Sequence, residues 1–562
     1  MLIKYFKVFL VLLSLFFTNK LNAKSLDISE VNIKNLANYF SAIVAYDNDT
    51  NIKALRFFNI SQSLLNIHRP YLKQYIYSSV IEGEIQKSIR EIKKTKNKKN
   101  SDFFEAYLLL TLDSLKKNDI IKGKEYLEKI SKFKNNDQFQ FIIYQTLKSY
   151  LYLFEHNNII ISKHNFGNLS NITKTFQNCY LSDELTENNF DNLINSYQND
   201  HSRYIFFYIN HLIEKAKYAA AEELVDQIDI LNSSLLLIQT KNWIKNKNFK
   251  KFKEIFSCKN KNDLMGEFFF IISNLYSSKN NFEKSNFYLN ISNFLNPKFK
   301  FNLFLLAENY YVNKNYKQSQ KILNIFNKND NIFYWYKVKK KAQIILKEQD
   351  KEKSLEYINL KFNEIEDPSA KILLDMANFF KSFERYNTAI YYYNKVLSKK
   401  NTTLSSQAEI LYRRGASYER LGQFSQSDED LLQSLKINPD DSYVLNYLGY
   451  SWLERNYKIN DALKMLEKAY HQNKNDPYIL DSVGWAYYLV GNLEKSENLL
   501  KNAIQLMPDD PIVNDHYGDV LWKMGRKIQA KYYWESVLTF EDTEDSMKKN
   551  IVTKLLKGLK KI

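Results

Sequence analysis

From about residue 408 to residue 540 the chain alternates between two kinds of amphipathic segment, each with apolar residues at the three- and four-residue spacing of a helix. A small residue recurs in the first kind: Gly415, Gly449, Gly484 and Gly518 follow one another at intervals of 34, 35 and 34. Large apolar residues keep fixed places around it: Leu411 and Tyr418; Leu445, Leu448 and Trp452; Leu480, Val483 and Tyr487. The second segment sets small residues among large ones, as in Ala462, Leu466 and Ala469, then Ser496, Leu500 and Ala503, then Ala530, Trp534 and Val537. Two helices that cross closely need a notch on one to take a ridge of the other. The pattern therefore predicts antiparallel helical hairpins in contact at the glycines, and a bulky residue at Gly484 is expected to splay its pair. Gly422, Gly491 and Gly525, each seven residues after a marker glycine, suit the left-handed residue that ends a helix. Asn438-Pro439-Asp440, Asp476-Pro477 and Pro508-Asp509-Asp510-Pro511 supply capping oxygens and prolines for helix starts.

Upstream the glycines vanish, but small residues at Ser273, Ala307, Ala342 and Ala377 keep the register at intervals of 34, 35 and 35. Ser319, Leu323 and Phe326 stand behind Ala307; Ala389, Tyr393 and Val396 stand behind Ala377. The longer interval from Ala377 to Gly415 predicts a lengthened loop near Lys399 to Ser406. Before residue 266 the pattern weakens, although Ala54 with Phe58, Gly123 with Tyr126 and Leu127, and Ala221 with Val225 keep helical periods. The expected organisation is a leader over 1–23, a degenerate helical repeat region over 24–265, an array of about eight hairpins over 266–540 and a capping helix over 541–562. The polar stretch 157–199 is the expected seam between two halves. With 12 Gly and 7 Pro in 562 residues there are few turn residues for an all-β chain, and the fold class is all-α: a right-handed α-solenoid of antiparallel hairpins.

The 34-residue period and the W-x2-L-G-x2-Y type of helix start resemble the tetratricopeptide repeat, abbreviated TPR. More narrowly, NYLGYSWLERN, NDPYILDSVGWAYYLVGN and DDPIVNDHYGDVLWKMGR resemble the closing repeats of bacterial envelope TPR proteins. Some members of that group are outer-membrane lipoproteins that act as adaptors for periplasmic carboxyl-terminal processing proteases. The resemblance implies a non-catalytic scaffold with a protein or peptide partner, a periplasmic protease among the candidates. The chain departs from those members in having no cysteine after its apolar N-terminal run, which excludes lipid attachment at such a residue.

That run, Val8 to Phe17, follows two lysines and precedes a polar stretch ending at Ala23, the layout of a cleaved secretory signal peptide and so of a periplasmic protein. It is short for a membrane span, which needs about 20 residues. The formal charge of +17 falls to +14 without the three lysines of the leader. The basic residues are spread along the chain, and the one dense run, Lys93 to Lys99, reads as a solvated helix end, so no nucleic-acid partner is expected. Cys179 and Cys258 can pair only with each other. Lying hairpins apart, they are expected to exceed the roughly 7 Å Cα limit, so the spacing disfavours a bridge.

First helices of successive hairpins line the concave face of such an array. The positions three before, one after and four after each marker glycine select Asn446, Tyr450 and Leu453; Asp481, Trp485 and Tyr488; Asp515, Asp519 and Trp522. Asn446, Asp481 and Asp515 form a hydrogen-bonding row, and Tyr450, Trp485, Tyr488 and Trp522 supply apolar anchor area for a bound segment. The competing assignment has the aromatics packed between hairpins and the acids paired with basic residues of neighbouring helices. The tail carries Ile551, Leu555, Leu556 and Leu559 among lysines, which suits a cap on the last hairpin; the alternative is a basic helix on a membrane. No H-E-x-x-H, G-x-S-x-G or phosphate-loop motif occurs, and the seven histidines show no metal-ligand spacing. His516, beside Asp515, is the one suggestively placed, and it reads as a hydrogen-bonding groove residue. No enzyme activity, cofactor or metal is expected. The functional alternative to an adaptor is a membrane-associated structural or assembly component of the envelope.

Overall fold

The computed structural model describes residues 33–559 apart from residue 49 and residues 134–136, 161–163, 196–201, 328–330 and 400–402. The described residues form α-helices joined by short turns and 3-10 segments, with no strand among them. The expected leader lies outside the described residues. The chain divides into two compact units, one of Met1–Ile228 with Ser234–Ile358, the other of Asp229–Ser233 with Asn359–Ile562. Compactness thus changes after Ile358.

In the second unit five hairpins follow one another, named here by their marker residue: Ala377 (Ala370–Ser382 and Tyr386–Leu397), Gly415 (Leu404–Arg420 and Phe424–Ile437), Gly449 (Ser442–Glu454 and Ile459–Gln472), Gly484 (Pro477–Leu489 and Leu493–Leu506) and Gly518 (Pro511–Lys523 and Lys527–Val537). Each first helix from Gly449 onward starts on an aspartate, Asp441, Asp476 or Asp510, whose carboxylate accepts two amides of the first turn. Asn438, read as a capping residue, instead ends the preceding helix. A Cβ at Gly449 would lie 2.8 Å from Leu466 Cγ, and one at Gly484 would lie 2.7 Å from Leu500 Cγ. The glycines are where the two helices touch. Ser496 Oγ donates to the Gly484 carbonyl at 2.7 Å, so the notch also satisfies a polar side chain. Upstream the same bond joins Ser319 to Ala307 at 2.9 Å and Ser354 to Ala342 at 2.7 Å.

The turn between the helices has one form in glycine and non-glycine hairpins alike. Gly491 has φ +84°; its N–H bonds to the Tyr488 carbonyl at 3.0 Å, and Asn492 N–H bonds to that of Tyr487 at 2.8 Å. Glu384, with φ 61°, takes the same place, its N–H on Lys381 at 2.9 Å and Arg385 N–H on Phe380 at 3.0 Å. Asn118, Ala216, Lys247, Asn280 and Lys314 adopt this conformation in the first unit. The backbone bonds of the turn, and not the residue type, carry the repeat through the region where the sequence loses it.

The first unit has a continuous apolar core from Tyr39 to Ile344. Ala54, Phe58, Leu127, Ala221 and Val225 are all buried in it. Two expectations are corrected here. Residues 157–199 are no seam, because the helices Asn168–Leu181 and Thr186–Ile194 continue the unit, with Phe176 and Phe190 fully buried. Cys179 and Cys258 are bridged, their Cα atoms 5.7 Å apart. The segment after the short helix Lys250–Ile255 turns extended at Phe256 and folds back, so Phe256 packs on Phe176 and Phe207, with centroids 5.9 and 4.6 Å away. That aromatic cluster brings the two cysteines together despite a separation of 79 residues.

Candidate functional site

On the first helices of the second unit Tyr450, Asp481 and Trp485 meet at His516, whereas Leu453 is buried in the apolar core. Tyr412 meets Tyr447 edge-on at 5.7 Å, the Tyr447 hydroxyl donates to Glu419 at 3.0 Å, and Tyr450 reaches within 6.3 Å of His516, two hairpins on. The curvature is tight enough to fill that end of the groove with the chain's own side chains.

The acidic row is therefore not left free for a ligand. Asp481 is 5% exposed and accepts from His516 Nδ1 with both oxygens, at 2.9 and 3.1 Å. Burial opposes charge on His516, but Asp481, with Asp515 and Asp519 beyond it, lifts the imidazole pKa above its usual value. Asp515 and Asp519 share Lys554 of the last helix, Asp545–Lys557, at 2.6 and 2.8 Å. Asp519 also accepts from the Trp534 indole at 3.0 Å, and its pKa is pushed up to about 6 by burial and then by Asp515. Asn446 is the exception: its Oδ1 is buried and accepts no hydrogen bond among the described residues.

The aromatic positions are divided in the same way. Trp485 is stacked between Tyr488, at 4.7 Å, and His516, at 4.1 Å, yet remains partly exposed, as does Tyr450. Tyr488 is buried. Trp522 is covered: it packs on Trp534 at 5.2 Å, with Leu555 of the last helix and Leu559 just beyond it in the same cluster, and a Cβ on Gly558 would run into its ring. That helix packs on the Gly518 hairpin, seated through the fully buried Ile551, while Leu556 faces out, 78% exposed.

Cations at the other end of the groove escaped the sequence reading, which followed acids and aromatics. Lys381 lies in the last turn of its helix, while Arg413 and Arg420 lie on the next first helix. They occupy the same face, since Arg413 Nη1 reaches Asn378 Oδ1 at 3.4 Å. Lys381, four residues after Ala377, was legible in the same register, whereas Arg413 and Arg420, two before and five after Gly415, fall outside it.

The first unit holds a cavity of about 790 Å³ with a mainly apolar lining that includes Ile142, Phe166, Leu169, Phe270, Phe304 and Tyr336. Arg203 at its wall is spent on Glu267, at 2.8 and 2.7 Å, and on Asn302. No group of three or more His, Cys, Asp or Glu suited to a metal occurs among the described residues.

The tetratricopeptide repeat model matches residues 408–441. In sequence the chain is similar to the TPR repeat-containing protein PA4667 of Pseudomonas aeruginosa, 34% identical over 110 residues, or 20% of this chain and 18% of that protein. It is also similar to the peptidyl-prolyl cis-trans isomerase CYP7 of Saccharomyces cerevisiae, 32% identical over 101 residues, 18% of this chain and 24% of that one. The chain thus spans less than a quarter of the length of either of these curated relatives. Among solved structures it is similar to MamA 41-end from Desulfovibrio magneticus RS-1, with 21% identity, 31% of this chain, 97% of that chain and a TM-score of 0.27. TTC0263, a thermophilic TPR protein in Thermus thermophilus, gives 20% identity, 34% of this chain, all of that chain and a TM-score of 0.29. Stacked hairpins with this repeat form extended concave surfaces. Residues 408–441 thus match the tetratricopeptide repeat, and the hairpins that follow share its marker notches and left-handed turns.

Proposed function

We propose that the protein is an exported, non-catalytic adaptor of the cell envelope, which holds an extended segment of another protein in the concave groove of its second unit and so recruits a protease or presents a client. The observation that carries this reading is the partly exposed ring of Trp485, stacked on Tyr488 and on His516. A large ring held in place on both faces suits an apolar side chain of a bound strand. Export is supported by the leader-like residues 1–23 and by a buried disulfide, which persists in an oxidising compartment.

The test is capture from an envelope extract by the wild-type protein and by Trp485→Ala, with equal helicity checked by circular dichroism. One defined protein retained by the wild type and lost by the variant is expected; equal retention would move the site out of the groove. Sequencing the N-terminus of the mature protein should give Lys24 in a soluble periplasmic fraction. A protein held in the membrane fraction would favour the second reading, a membrane-associated envelope component, for which the exposed Val552 and Leu556 among lysines of the last helix speak.

A further inference from the structure

Charge along the groove is balanced at one end and unbalanced at the other. Asp481, Asp515 and Asp519 are matched by His516 and Lys554. At the Ala377 and Gly415 hairpins, Lys381, Arg413 and Arg420 face two carboxylates, both already engaged. Glu409 takes Arg413 Nε and Nη2 at 3.0 and 2.6 Å. Glu419 takes the Tyr447 hydroxyl and lies 3.7 Å from Arg420 Nε. Among the described residues Lys381 forms no ion pair, and its ammonium lies 6.0 Å from the Tyr412 ring. Burial, then Arg413 and Arg420, push the Lys381 pKa down to about 8, the sign of a cation whose surroundings lack an anion.

A half-buried lysine beside two arginines raises the energy of its own charged form, and that cost is relieved when a carboxylate enters. Tyr412 beside the cations packs on Tyr447, and Tyr450 and Trp485 both pack on His516, so a segment lying along these first helices from the cations to Trp485 presents side chains to both. We propose that Lys381, Arg413 and Arg420 form a seat for an acidic side chain, Asp or Glu, of the extended segment whose apolar residue packs on Trp485. The proposal rests on the groove reading and gives the partner a direction: its acidic residue lies at the Ala377 end and its apolar residue at the Gly484 end.

The experiment uses an array of peptides of about 12 residues, long enough in extended form to span the two ends of the groove, acetylated and amidated so that no terminal charge contributes, and probed with the full chain. Retained peptides are expected to pair Asp or Glu with an aromatic or branched apolar residue. The strongest of them, resynthesised, should bind on the order of tenfold more weakly to Lys381→Gln. Replacing its acid by the amide should cost the same, and the two changes together should cost little more than either alone. Arg420→Gln, at an exposed position, should give a smaller loss in the same direction and serves if Lys381→Gln lowers the helicity. Retention without preference for acids, with affinity unchanged in Lys381→Gln and Arg420→Gln but lost in Trp485→Ala, would overturn the seat and keep the groove. No retention by the wild type would overturn both.

Discussion

The indole of Trp485 lies on the imidazole of His516, ring centroids 4.1 Å apart and planes 10° from parallel, while the edge of that imidazole is held by Asp481. A groove aromatic is thus fixed by a titratable ring, and the ring by a buried acid on the same first helix as the indole. Order on this face depends on the charge of His516.

That dependence has a definite sign. His516 carries a folded-state pKa above its ordinary value, so its stabilising contribution is complete below about pH 6.5 and is lost as pH rises through the folded value. Asp519, with its pKa pushed up to about 6, acts in the same direction at lower pH, since it holds a proton in the folded state that the unfolded state has released. Urea unfolding followed by tryptophan fluorescence should show the C-terminal hairpins less stable at about pH 8.5 than at about pH 6. His516→Gln should flatten the difference.

Gly484→Ala should destabilise the second unit by about 1–3 kcal/mol, because the new methyl meets Leu500. Gly491→Ala meets nothing within 4 Å but keeps a left-handed φ, so about 1 kcal/mol is expected there. Pairing each with Leu500→Ala separates the two causes. Relief in the first and none in the second is the expected pattern in chemical denaturation.

Removing the disulfide, by reduction or by Cys179→Ser with Cys258→Ser, should cost about 4 kcal/mol on the chain-entropy view of a loop of 79 residues. Hydrogen exchange should place the loss in the first unit, around Asn168–Leu181 and Lys250–Ile255.

Lys554→Met would leave Asp515 and Asp519 side by side without their cation. A loss of about 3 kcal/mol, typical of a broken buried ion pair, should appear as faster exchange in Pro511–Lys523 and Lys527–Val537. Lys554→Arg should restore part of it.

How far the sequence could be read depends on which interaction carries each feature. Where helices touch, size is selected directly, so Gly449, Gly484 and Gly518 are visible in the residue string, and Ala307 and Ala377 almost so. The hairpin turn is formed by backbone hydrogen bonds that Glu384, Lys314 and Asn280 satisfy as Gly491 does, and the repeat accordingly fades from view upstream. Asp481, Asp515 and Asp519 were legible as residues of one face, but their partners were not: Lys554 lies 35 residues beyond Asp519 on a helix that no repeat pattern ties to it. The bridge between Cys179 and Cys258 depends on how Phe176, Phe207 and Phe256 cluster, which a linear count of hairpins does not contain.

The lysine that crosses from the helix Asp545–Lys557 to the acids of the Gly518 hairpin also ties that hairpin to one particular neighbour. An interior hairpin copied into last place would lack an acid pair at the right height, and the last hairpin copied inward would face a neighbour with no ammonium to offer. Repeats of this chain are therefore not interchangeable bricks: shuffled, lengthened or trimmed versions should stack only while the Gly518 hairpin stays next to its closing helix, a rule of order that the repeating pattern alone would never impose.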